Sequence, residues 1–277
     1  MRARRALLTA AVAALLAACA DQPAEPEVAV AGELGTVPLV TFPTPYPLGE
    51  ESVDVVLQGD GDQLEAGDVA LLLVSGYDGD DAQALGQTAR PRVVRLEESS
   101  TDLYDALVGV TVGSRVVVAR PVASETGEYM EIVVIDVMPL SAVTSDTTQE
   151  ELPDSVPQVG QDASGAPTID MADAVEPEAL QILPLVSGTG AQVLPDDTVY
   201  GQYTVWTWDD AAVYDSTWED GGTPVAVDLP GAWEGLENGL VDQTVGSRVL
   251  LLIPPELGIG SDSLIVVFDI LAREADS

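Results

Sequence analysis

The side chains that most often carry covalent chemistry are nearly absent from this 277-residue chain. It has no histidine, no lysine and one cysteine, Cys19. A Ser-His-Asp triad and a His/Cys zinc site are therefore excluded for want of imidazole and of further thiols, and a cysteine nucleophile because the single thiol belongs to the N-terminal segment read below. Two short acidic runs, Asp60-Gly61-Asp62 and Asp78-Gly79-Asp80-Asp81, hint at calcium. Neither opens the twelve-residue loop that closes on Glu, and Asp-Gly runs are ordinary turn chemistry, so no metal site is expected. Aromatics gather late in the chain: Tyr203, Trp206, Trp208, Tyr214, Trp218, Trp233 and Phe268. Trp206 and Trp208 share one face of a strand. They can form a peptide-binding rim or cover the far side of a sheet, and the sequence leaves both open.

Charge and the N-terminus narrow the partners. The ten cations are all Arg against 47 Asp and Glu, for a formal charge of -37. Nucleic acid and anionic lipid headgroups are poor partners for such a surface. Arg2, Arg4 and Arg5 precede an apolar stretch from Leu7 to Leu16, too short for an ordinary spanning helix. The stretch ends on Leu16-Ala17-Ala18-Cys19, which resembles the bacterial lipobox. Residues 1–18 then read as a lipoprotein signal peptide and Cys19 as the lipidation site. Several acyl chains there would anchor stably where one would not. Removing the three N-terminal arginines leaves seven against 47 carboxylates, a charge of -40.

The chain also repeats. Thr111-Val112-Gly113-Ser114-Arg115-Val116 returns as Thr244-Val245-Gly246-Ser247-Arg248-Val249, and Ile132 to Asp136 returns as Ile265 to Asp269, both at a shift of 133. Gly59-Asp60-Gly61 returns as Gly188-Thr189-Gly190 at a shift of 129. Three blocks in one order mean one fold used twice, and the period is too long for a solenoid. The division that follows is a tether over residues 19–36, a first domain over 37–140, a linker over 141–168 and a second domain over 169–273. In the second domain, Thr198 to Trp208 is rich in β-branched and aromatic residues and predicts a strand. Pro224 to Leu229, Ser247 to Ile253 and Leu264 to Leu271 predict three more. Gly231 to Leu240 predicts a short helix with Trp233, Leu236 and Leu240 at helical spacing. The expected class is α+β, an antiparallel sheet burying one face on a short helix, used twice in tandem.

In register, the second domain carries Gln202-Tyr203-Thr204, Val213-Tyr214-Asp215-Ser216, Gly235-Leu236-Glu237-Asn238-Gly239-Leu240, Val245-Gly246-Ser247, Ile253-Pro254-Pro255-Glu256-Leu257 and Val267-Phe268-Asp269. This series resembles the FKBP-type peptidyl-prolyl cis-trans isomerases over about a hundred residues. The resemblance implies an apolar pocket for a proline ring and no cofactor. It implies catalytic roles for Tyr203, Tyr214, Asp215 and Phe268, and substrate contacts from Val225, Trp233, Leu236 and Ile259. It also marks departures. Val225 and Leu236 stand at aromatic positions of the family. Ile259, in a shortened flap, stands where the family commonly has a Tyr that bonds the substrate carbonyl. Weak activity is the corresponding expectation.

In the first domain, Val74 stands for Tyr203, Leu85 for Tyr214, Gly86 for Asp215 and Ile135 for Phe268. Scaffold positions are kept and pocket positions are not, so that domain reads as FKBP-like without isomerase activity. The functional expectation is an extracytoplasmic, lipid-anchored isomerase. Its partners would be proline-containing unfolded or nascent exported proteins, with the membrane reached through Cys19 and no nucleic acid. The alternative is a non-catalytic peptide-binding or holdase lipoprotein.

Overall fold

The structure is a computed structural model; it describes residues 27–98, 101–124, 127–144, 147–219 and 221–275. Residues 1–18 and Cys19, read above as a signal peptide and a lipidation site, lie outside the described residues. Among the described residues antiparallel strands dominate, with two short α-helices and two single-turn 3-10 helices. A small hairpin, β1 (Ala29–Ala31) and β2 (Leu39–Thr41), comes first. Strands β3 (Ser52–Leu57), β4 (Val69–Asp78), β5 (Arg90–Arg95), β6 (Arg115–Ser124) and β7 (Gly127–Met138) form a sheet in the order β3-β6-β7-β4-β5. Helix α1 (Thr101–Leu107) crosses over between β5 and β6.

A second hairpin, β8 (Gln158–Gln161) and β9 (Pro167–Asp170), precedes a second sheet. Its strands are β10 (Gln181–Val186), β11 (Thr198–Thr207), β12 (Val213–Ser216), β13 (Val225–Asp228), β14 (Arg248–Ile253) and β15 (Leu264–Glu274). The order is β10-β14-β15-β11-β12, with β13 also on β11. Helix α2 (Glu234–Leu240) lies between β13 and β14.

Alternation along the central strands explains both covers. In β14 and β15, Val249, Leu251, Ile253, Val266 and Phe268 belong to the core that holds Leu236 and Leu240 of α2. The intervening Leu250, Leu252, Ile265 and Val267 pack with Trp206 and Val156, against Val159, Ile169 and Trp208. Both faces are covered, so both sets of side chains are apolar and the strands read as continuous apolar runs. Trp206 and Trp208 thus cover the hairpin side of the sheet. The first sheet repeats the plan: Val116, Val118, Val133 and Ile135 face α1, while Val117, Ile132 and Val134 pack with Phe42 against Val30 and Val40.

This differs from the expected tether and linker. Within 19–36 lies β1, and within 141–168 lie β8 and the start of β9; with their partner strands they seal the second face of each sheet. The hairpins also repeat at a shift of 129: Val30 with Val159, Pro38 with Pro167, Val40 with Ile169 and Phe42 with Met171.

The conserved blocks of the repeat meet each other in space. Thr244 Oγ1 donates to the Gly188 carbonyl at 2.8 Å, and Gly188 N–H donates to Ser247 Oγ at 2.9 Å. Thr111, Ser114 and Gly59 repeat the clasp at 2.9 Å in both bonds. A Cβ on Gly188 would lie 2.2 Å from the Val245 carbonyl oxygen, so only glycine fits. The Arg and Asp of the other blocks pair across neighbouring strands. Arg115 Nε meets Asp136 at 2.5 Å, and Arg248 Nε meets Asp269 at 2.5 Å, all four side chains buried. The loop after β1 caps the first pair: Gly35 N–H donates to Asp136 at 2.8 Å, and Arg115 donates to the Gly32 and Glu33 carbonyls. Ser141 and Ala142 cap the second pair, each donating to Asp269 at 3.0 Å. The two sheets also touch, through Leu71, Leu73 and Met138 on one side and Leu271 and Ala272 on the other. The Asp78 run is a turn, with Asp80 N–H donating to Asp78 Oδ1 at 2.8 Å.

Candidate functional site

The helix-facing side of the second sheet gathers most of the residues singled out in the sequence. Tyr203 on β11 lies directly opposite Phe268 on β15. Their rings stack with centroids 5.7 Å apart and planes 16° apart, a geometry in which aromatic pairs attract beyond simple burial. Phe268 is fully buried and Leu236 of α2 nearly so; Tyr203, Trp233 and Ile259 pack around them partly exposed. The floor is therefore apolar and the rim amphipathic.

Local sequence explains the placement. Gly201 interrupts a strand of large residues because Phe268 lies over it: a Cβ there would meet the Phe268 ring and the Asp269 carbonyl oxygen, both at 2.3 Å. An isolated strand glycine is the signal for such a close approach. Trp233 occupies the N-cap of α2 and makes no side-chain cap bond, although Ser, Thr, Asp and Asn are the residues that suit that position. Its ring packs on the core instead. Gly235 and Gly239 let the helix lie close on Ile253 and Leu251, whose side chains a Cβ would meet at 2.4 Å and 2.5 Å.

Asp215, opposite Val205 on β12, accepts a 2.7 Å hydrogen bond from Tyr203 Oη. It fixes the tyrosine ring at the edge of the floor. Burial first, then this bond and the carboxylate charge, hold the Tyr203 hydroxyl well above the ordinary tyrosine range. The folded state keeps that proton when the unfolded chain has lost it. Stability from this group is thus complete below about pH 10 and declines as pH rises further. Thermal melts followed by tryptophan fluorescence should fall more steeply above pH 10 in the wild type than in Tyr203→Phe. All four tryptophans, at 206, 208, 218 and 233, belong to the second sheet's half of the chain.

Two residues stand apart. Tyr214 is 58% exposed; it is the extra residue where the register shifts between Val205–Asp215 and Trp206–Val213. Val225 sits on β13 opposite Gly201, outside the packed cluster. The arrangement offers an apolar ring the partly exposed Tyr203, Trp233 and Ile259, with the buried Phe268 and Leu236 packed beneath them, and no nucleophile or general base.

Sequence comparison relates this stretch of the chain to a known family. A profile described as FKBP-type peptidyl-prolyl cis-trans isomerase matches residues 190–270, which include every candidate residue of the second half. A probable FK506-binding protein from Corynebacterium glutamicum is 31% identical over 96 residues, covering 35% of this chain and 80% of that protein. The chain belongs to the FKBP-type peptidyl-prolyl cis-trans isomerase family. Among solved structures, AtFKBP13 aligns at 19% identity and a TM-score of 0.32, covering 36% of this chain and 97% of its own. FkpA from Escherichia coli aligns at 22% identity and a TM-score of 0.32, covering 42% and 52%.

Proposed function

We propose that the second half of the chain is a peptidyl-prolyl cis-trans isomerase that assists folding of exported proteins outside the cytoplasmic membrane. On this reading the chain is two tandem FKBP-like domains held to the membrane through Cys19. The observation that carries the activity is the Tyr203–Phe268 stack over the Leu236 floor, within the family match. Rotation about an X-Pro bond meets a barrier of roughly 18–20 kcal/mol, because it breaks amide resonance. The twisted amide has lost charge separation, so a dry apolar floor favours it over either planar form. The partly exposed Tyr203, Trp233 and Ile259 present that floor, backed by the buried Phe268 and Leu236, and the exposed Tyr214 is the wall that a bound substrate meets on the β12 side. A thousandfold acceleration needs only about 4 kcal/mol of differential binding. No proton transfer is required, and the absence of histidine is no obstacle.

The second reading, a holdase, is favoured by one observation. Tyr214 is exposed and outside the packed cluster, so the rim is open on the β12 side. Refolding of a client limited by prolyl isomerisation separates the two. Catalysis predicts that substoichiometric amounts of the full chain shorten the slow phase. Suppression of aggregation only at stoichiometric amounts, with the slow phase unchanged, would replace catalysis by holding.

A further inference from the structure

The half of the chain outside the family match contains a cavity of about 680 Å³ on the helix side of the first sheet. This is within the range of small-ligand sites. Its floor is Val74, Leu103, Ala106, Val118, Val133 and Ile135. Volume explains it: Val74 and Ile135 stand where Tyr203 and Phe268 stack in the second half. The far end is also built differently. At the positions of Ile253 and Leu264, which are buried, the first sheet has the Arg120–Glu131 ion pair at 2.8 Å.

Charge distinguishes this cavity further. Of the seven arginines among the described residues, Arg115 and Arg248 are consumed in buried pairs, Arg273 pairs with Asp197, and Arg95 donates to the Gly67 carbonyl. The other three, Arg90, Arg92 and Arg120, all line the cavity. In a chain of net charge -37, that concentration is the exception to the general field. Arg90 is held by Glu274 at 3.0 Å, and Arg120 by Glu131. Arg92 makes no hydrogen bond or ion pair among the described residues. It lies opposite Leu72 on β5, which puts it at the position of Val225 opposite Gly201 in the second half. The other lining carboxylate, Glu51, belongs to the β3 side, at the opposite edge of the sheet. The rim is therefore polarised, with its unpaired cation at β5.

We propose that this cavity is a second peptide-binding site, selective for an apolar side chain followed by a carboxylate, with the apolar group on Val74, Val133 and Ile135 and the carboxylate on Arg92. It is a recognition site and not an isomerase site, and it does not depend on the second half being catalytic. Proline is not needed for the fit; a carboxylate at the rim is.

The test is calorimetric titration of the full chain with N-acetyl-Leu-Leu-Glu-amide and with its Gln analogue. The expected result is saturable one-to-one binding of the Glu peptide, at least tenfold weaker for the Gln peptide. Arg92→Gln should abolish that preference. Leu85→Trp, an exposed residue at the cavity, should block both peptides. Prolyl-isomerase turnover in both variants should match the wild type, which separates this proposal from the catalytic one. Equal affinity for the two peptides, binding unaffected by either variant, or no binding at millimolar peptide would overturn it.

Discussion

Arg248→Leu should cost the second half of the chain about 3–5 kcal/mol, because it strands a buried carboxylate. Asp269 is buried and takes both Arg248 Nε, at 2.5 Å, and Nη2, at 2.8 Å. Ser141 and Ala142 would still donate to it, but two neutral donors do not replace a guanidinium in a dry site. Arg248 Nη1 is itself buried without a hydrogen-bond partner. The pair is therefore not an optimal one, and its value lies in mutual compensation. The double variant Arg248→Leu, Asp269→Leu should recover most of the loss, since a fitted apolar pair often equals a buried ion pair. Urea unfolding followed by tryptophan fluorescence measures both. A single-variant loss under about 1 kcal/mol would show that water reaches this pair in solution.

Phe268→Ala should cost a similar amount, about 3–5 kcal/mol, through lost burial and the cavity left behind. The site cannot collapse easily. Gly201 lies beneath the ring, and Tyr203 is tied at its hydroxyl to Asp215 and cannot follow. Phe268→Leu, which keeps most of the volume, should cost distinctly less. The same urea titration decides, and equal losses for Ala and Leu would mean that aromatic stacking outweighs packing volume. This substitution also removes the floor of the proposed site, so lost turnover in it would not distinguish catalysis from folding. Tyr214→Ala does distinguish them, because surface substitutions of exposed residues usually change stability by less than about 0.5 kcal/mol.

The parts of the fold legible in the sequence were those with many residues repeating one constraint. The Thr-Val-Gly-Ser-Arg block, the Gly-x-Gly turn and the strand Asp recur because they touch: Ser247 on Gly188, and Arg248 on Asp269. The hairpins β1–β2 and β8–β9 were harder to see. Strands of three or four residues present only one or two inward side chains each, and Asp162 and Gly165 look like linker chemistry. A usable signal was nevertheless present. The runs Arg248 to Ile253 and Leu264 to Leu271 are apolar on both faces, and one seven-residue helix covers only one of them. Something else had to cover the second.

At the candidate site, Tyr203, Asp215, Leu236 and Phe268 could be placed because strand register and helical spacing fix them. Tyr214 could not, since a bulge moves one residue out of alternation and the sequence does not mark where. The first-half cavity was hidden for another reason. Val74 and Ile135 read as pocket residues lost, whereas in three dimensions their smaller volume is what leaves the space. Arg92, at the position of Val225, changes what that space can hold.

The most direct measurement is prolyl isomerisation of a short peptide with an apolar residue before proline, catalysed by the full chain and by its Tyr214→Ala variant. The account predicts a rate that rises linearly with wild-type concentration. It predicts at least a tenfold loss in Tyr214→Ala with an unchanged urea midpoint. A folded wild type that leaves the rate at its uncatalysed value would contradict it.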